Sequence, residues 1–259
     1  MNGLMIHVPM ETTRTLNTSF IPFYKKANLR GYFIAGDNQE KTLVNHAVKD
    51  KPFNRRGSGE SMEFLPDAVK ISGNKSEAIR LPVASVAADI NPACTFFLKM
   101  KGVPKNIGND QRSFAVNIFG NSDTAGKFQD NKLAFSMRIA NNGKALNFLS
   151  GAASTAPREK NNVDIGDVAE NDTLLIAASR DETGRINVEI RVRGRTIKEV
   201  IEPAFPLPPV PEDMVDWLAY FGIFAGNELN PITYQRGAFY DYAMSYLELS
   251  ALLDRESIV

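Results

Sequence analysis

The sequence predicts an all-β fold, a two-sheet antiparallel jelly-roll sandwich followed by a short C-terminal helix. Three observations carry this. Apolar and polar residues alternate with period two in one segment after another, the pattern of a strand with one buried and one wet face. Turn-forming clusters at 57–59, 72–74, 120–123, 141–143, 181–184 and 193–194 fall between those segments, and they supply the positive φ angles that tight hairpins require. Helical periodicity is missing until the last residues.

In chain order, residues 1–28 lack sustained alternation and read as an extended N-terminal arm. Their apolar cluster at 20–24 stands beside Lys25 and Lys26. An aromatic patch next to charge marks an interaction surface, so the arm is expected to order against another subunit. Residues 29–259 then form the sandwich domain. Strands are expected at 43–48, 61–65, 68–71, 78–81, 95–101, 113–119, 133–139, 173–179, 186–193, 196–201, 218–225 and 237–249. The clearest is 186–193, where Ile186, Val188, Ile190 and Val192 alternate with Asn187, Glu189, Arg191 and Arg193. Residues 202–212 hold five prolines and must run extended without ladder donors, as a rigid loop or a partner-docking segment. The helix is expected at 250–257, with Ser250 as its N-cap.

Composition narrows the function classes. Lys+Arg and Asp+Glu are equal at 30 each, which argues against nucleic acid as a partner and against electrostatic attachment to a membrane. The chain has no apolar run of about 18 residues, so no membrane insertion is expected. Cys94 is the single cysteine, so no internal disulfide exists and the thiol reads as a small buried group. The first residues lack the pattern of a secretory signal, and synthesis in a cytosol is expected. His7 and His46 lie in separate segments and do not make a zinc site.

The order of local patterns resembles the laminin G-like branch of the concanavalin A-like superfamily. Residues 63–82 read as an apolar strand, a Gly73-Asn74 turn and a strand ending in Pro82, and residues 94–100 are similar to the strand that opens the family's central part. Residues 174–194 resemble its hairpin with an acidic glycine turn, and residues 237–258 its closing strand followed at once by a helix. The resemblance spans residues 29–259 and implies a lectin-type sandwich. That superfamily includes retaining glycoside hydrolases with a Glu-x-Asp-x-x-Glu strand, whose paired carboxylates stand roughly 5 Å apart. Here Glu170 and Asp172 are followed by Leu175, so the trio is broken and no catalytic residue is expected.

Binding residues remain. Asn121, Asp123 and Asp130 form an oxygen-rich segment suited to calcium, the one cofactor considered, although Asn and Asp also build turns unaided. Asp123, Trp217 and Asn227 are expected at a loop edge that carries ligand. Tyr240 and Tyr242 begin a stripe with Met244 and Tyr246 that could stack on sugar rings or face a neighbouring subunit. These features together imply a non-catalytic module binding a glycan or cell-surface receptor. Its expected setting is a virion made in a host cytoplasm, in a tail fibre, tail tip or baseplate, among other virion subunits and as a homo-oligomer. The alternatives are a purely structural virion component, such as a capsid decoration or tail accessory, and a glycoside hydrolase with an unorthodox site.

Overall fold

The computed structural model describes residues 24–57, 61–72, 77–82, 93–103, 113–120, 135–150, 161–203, 217–222 and 231–258. Among them, two antiparallel sheets lie face to face. The first runs β13 (Arg195–Ile201), β12 (Ile186–Val192), β11 (Thr173–Arg180), β6 (Cys94–Lys101), β15 (Ile232–Tyr240), β4 (Ala68–Ile71) and β3 (Met62–Leu65), with β1 (Leu29–Ile34) also paired to β15. The second runs β10 (Asn162–Asp164), β9 (Ala145–Ser150), β8 (Phe135–Ala140), β7 (Ser113–Gly120), β14 (Trp217–Gly222), β5 (Ala78–Pro82) and β2 (Asn54–Arg56). Hairpins join neighbours such as β11–β12 and β8–β9, while the pairs β6–β15 and β5–β14 are far apart in sequence. The all-β sandwich predicted from alternation is the observed architecture.

The core between the sheets is assembled from alternate residues, as period two requires. Val188 and Ile190 of β12, Leu174 and Ile176 of β11, and Phe96 and Leu98 of β6 meet Val116, Ile118, Phe135, Met137 and Phe148 of the second sheet. The turns follow their chemistry. Arg193 and Gly194 both adopt positive φ, 51° and 72°, in a two-residue connection between the paired Val192 and Arg195. Both residues of a type I′ turn need that conformation. Gly237 leaves room for Phe33, whose ring carbon would lie 2.3 Å from any added Cβ.

The outer face of the first sheet is not wet at its centre. Helix α2 (Tyr246–Ile258) lies on it, and Leu249, Leu252 and Leu253 meet Leu29, Tyr32, Phe97, Leu175, Ala177 and Tyr240 in a second core. The outward residues of β12 are affected accordingly. Glu189 is fully buried, held by Arg191 at 2.9 Å and Lys198 at 3.3 Å and accepting a hydrogen bond from Ser250.

Several sequence expectations need correction. The strand expected at 237–249 ends at Tyr240, and the helix starts at Tyr246 rather than at 250. Ser250 lies inside that helix. Ser245 occupies the cap: the Glu248 carboxylate accepts from its backbone N–H at 2.9 Å, and the Leu249 N–H donates to its carbonyl. This is a capping box, Ser-x-x-Glu. Residues 43–48 form a loop after the helical turn α1 (Gln39–Thr42), not a strand. Strands β1, β2, β9 and β10 had no counterpart in the pattern reading.

Candidate functional site

The β11–β12 turn and the loop leaving β15 come together at one end of the sandwich. The turn is built by Asp181, whose Oδ1 accepts from the Thr183 N–H at 2.9 Å, the Thr183 hydroxyl at 2.7 Å and the Arg185 N–H at 3.1 Å. One carboxylate oxygen therefore fixes the whole loop, which is the Asx chemistry that makes aspartate a turn residue. Glu182 and Thr183 are exposed at its tip.

The facing loop, residues 241–245, is pinned just as firmly. The Thr95 hydroxyl donates to the Tyr242 carbonyl at 2.8 Å and accepts from the Met244 N–H at 3.0 Å, while Ser179 donates to the Met244 carbonyl at 2.6 Å. Asp241 is clamped by Arg30 and by Asn28. Lys25, within the segment expected as an arm, pairs with Glu248 at 3.1 Å. Tyr242 thus stands on a fixed backbone, its ring edge-on to Tyr240 at 6.4 Å. Burial, and then the Glu248 carboxylate, push its phenol pKa upward, so the hydroxyl stays protonated.

Between the two loops lies an open cavity of about 390 Å³, lined by Ala93, Asp181, Glu182, Thr183, Tyr242 and Ala243. Its lining brings together Tyr242, two alanines, two acidic residues and a threonine on a rigid frame, with Tyr242 also packed against the core beneath α2. Few well-placed polar groups against an apolar floor is the usual make-up of a small-ligand site, and a ring beside oxygen acceptors suits a polyol.

The residues singled out from sequence fare differently. Tyr242 lines the cavity. Tyr240 does not: it is 1% exposed beneath α2. Met244 is equally buried and Tyr246 belongs to the helix, so the stripe from Tyr240 to Tyr246 is not one strand face. Trp217 lies on β14 next to Gly120 of β7. Asn121, Asp123, Asp130 and Asn227 lie outside the described residues, as does most of the proline-rich stretch, 204–212. Among the described residues, no group of three or more His, Cys, Asp or Glu is arranged to hold a metal. Asp181, Glu182 and Thr183 were legible only as a turn.

Among the described residues no helix is long and apolar enough to cross a membrane. No family model matches the chain, and no characterised protein matches it by sequence. Solved structures do match. Trypanosoma rangeli sialidase in complex with sialic acid superposes with a TM-score of 0.58 at 13% identity, over 90% of this chain and 33% of that one. The binding domain of botulinum neurotoxin DC in complex with rat synaptotagmin II gives 0.53 at 10%, over 88% of this chain and 52% of the other. The receptor-binding domain of the C/D mosaic serotype gives 0.53 at 10%, over 90% and 52%. The chain spans a third of the sialidase and about half of the toxin domains. At such identities the shared property is the fold.

Proposed function

We infer that this protein is a non-catalytic recognition module that takes a hydroxyl-rich ligand, the saccharide of a glycan or cell-surface receptor, in the cavity beside Tyr242. The observation that carries this reading is the pairing of Tyr242 with the 181–183 turn across about 390 Å³. Both walls are held by hydrogen bonds before any ligand arrives, which lowers the ordering cost of binding. Among the structures of similar fold are a sialidase in complex with sialic acid and a toxin binding domain in complex with synaptotagmin II, of which this chain covers 33% and 52%.

The non-catalytic part of the reading is supported by the acids that stood nearest to a hydrolase signature. Asp172 accepts from the Ala169 N–H at 2.6 Å and pairs with Arg193 at 2.5 Å. Leu175, at the third position, is buried against α2. In its finer form the reading places the module on a virion, in a tail fibre, tail tip or baseplate, with the N-terminal segment docking it to other subunits. The neutral overall charge and the aromatic-lysine segment at 20–26 support that setting.

A glycan array tests the reading. The wild-type protein should retain a defined subset of sugars without cleaving them. Tyr242→Ala and Glu182→Ala should each lose at least tenfold in affinity, about 1.4 kcal/mol, with melting temperatures near that of the wild type. New reducing ends, or retention that ignores both substitutions, would overturn it.

A further inference from the structure

The edges of the two sheets are not alike. Among the described residues, β10 and β2 close the second sheet with three residues each, and β3 closes one side of the first with four. Strand β1 is longer, but the 43–48 loop bonds along its free side: the His46 N–H donates to the Tyr32 carbonyl, and the Asn45 amide to that of Arg30. Strand β13 has seven residues, pairs with β12 on one side and has no strand on the other among the described residues. From Arg195 to Val200 every residue but Ile197 is exposed. A long bare edge offers unpaired backbone groups to another chain.

An edge lysine commonly guards such a strand, yet Lys198 is drawn back onto its own molecule. Its ammonium lies 3.3 Å from Glu189 and 2.9 Å from the Ser250 hydroxyl, on the face covered by α2. The two-residue turn at 193–194 makes Val192 and Arg195 a hydrogen-bonded pair, so Ile197 and Glu199 also bond toward β12. The N–H and C=O groups of Thr196, Lys198 and Val200 therefore point to the free edge.

A second copy fits that edge in one register. The two-fold axis of an antiparallel edge pairing stands normal to the sheet, so opposed residues share a face and the centre falls on a residue. Centred on Lys198 or on Glu199, identical charges would meet, which is unfavourable. Centred on Ile197, Arg195 of each protomer stands opposite Glu199 of its partner, and Thr196 opposite Lys198, so the outward backbone groups pair. Arg195 gives one N–H to the Ile165 carbonyl, and a guanidinium has four more. With 30 basic and 30 acidic residues, no net charge opposes association.

We propose that β13 is the interface of a symmetric dimer, in which two copies of this chain pair their β13 strands antiparallel about Ile197 and join their first sheets into one. The interface shares no residue with the lining of the Tyr242 cavity, so either can fail alone.

Sedimentation equilibrium of the full chain over a dilution series decides it. The wild type should show a monomer–dimer equilibrium. Arg195→Glu and Glu199→Arg should each weaken it by about tenfold or more, since each sets like charges opposite one another. An equimolar mixture of the two variants should recover the dimer, because one then offers only acids and the other only bases. Ile197→Cys gives a reading that needs no charge reversal, and it stands even if Arg195→Glu, which gives up its Ile165 contact, fails to fold. Opposed residues at a non-hydrogen-bonded pair bring their Cβ atoms close enough for a disulfide, so mild oxidation should link this variant into covalent dimers and leave Glu40→Cys monomeric. A wild type that stays monomeric at every concentration, a dimer indifferent to Glu199→Arg, or equal cross-linking of the two cysteine variants would overturn the proposal.

Discussion

Arg180 is completely buried between the sheets, its guanidinium 5.5 Å from the centre of the Phe135 ring. Burial pulls its pKa down, and the neighbouring Cys94 sulfur counteracts this. The same burial pushes the Cys94 thiol up to about 11, with Arg180 opposing. Only roughly a thousandth of such a thiol is ionised at pH 8, and the thiolate is the reactive form. Cys94 should therefore resist a thiol reagent at pH 8 in the native protein and react at once in denaturant; prompt labelling of native protein would contradict its placement. His46 makes the complementary case. Burial lowers its pKa from 6.5, so between the folded and unfolded values the unfolded chain carries more protons. Its contribution is complete above about pH 6.5, and falls as the pH drops toward the folded value. Urea midpoints at pH 7.5 and 5.0 should differ less in His46→Gln than in wild type.

At the scale of elements, α2 explains both what the sequence revealed and what it hid. Strand β12 was legible because Ile186 to Val192 alternate cleanly. Strand β1 was not, since Leu29, Tyr32 and Phe33 are all buried. Core covers one of its faces and α2 the other, so period two is erased. In β9, Leu146 and Phe148 face the core, yet Asn147 and Leu149 on the other face are buried as well. The tyrosine spacing through 240–246 mimicked a strand running on into the helix. The Ser245-x-x-Glu248 capping box was the signal that could have corrected it. Ser245→Ala should cost about 1 kcal/mol, read as a shift in the urea midpoint. Leu252→Ala, which empties a fully buried site between helix and sheet, should cost about 2–5 kcal/mol. A loss well below 1 kcal/mol for Leu252→Ala would mean that α2 does not seal the sheet.

On the scale of the whole molecule, a rigid sandwich frames a cavity that neither strand pattern nor motif announces. Tyr242 was nameable as an amphipathic aromatic, but its partners come from a turn some sixty residues earlier, and only the β6–β11 and β6–β15 pairings bring them together. The proposed use of the molecule rests most heavily on the Tyr242 cavity. Titration of the ¹⁵N-labelled full chain with glucose, galactose, N-acetylglucosamine and N-acetylneuraminic acid, followed by amide chemical shifts, interrogates it directly. At least one sugar should give saturable shifts concentrated at 93, 181–183 and 241–243, and these should vanish in Tyr242→Ala. Saturable shifts centred elsewhere with those amides unmoved, or no saturable shift with any of the four sugars, would contradict recognition at that cavity.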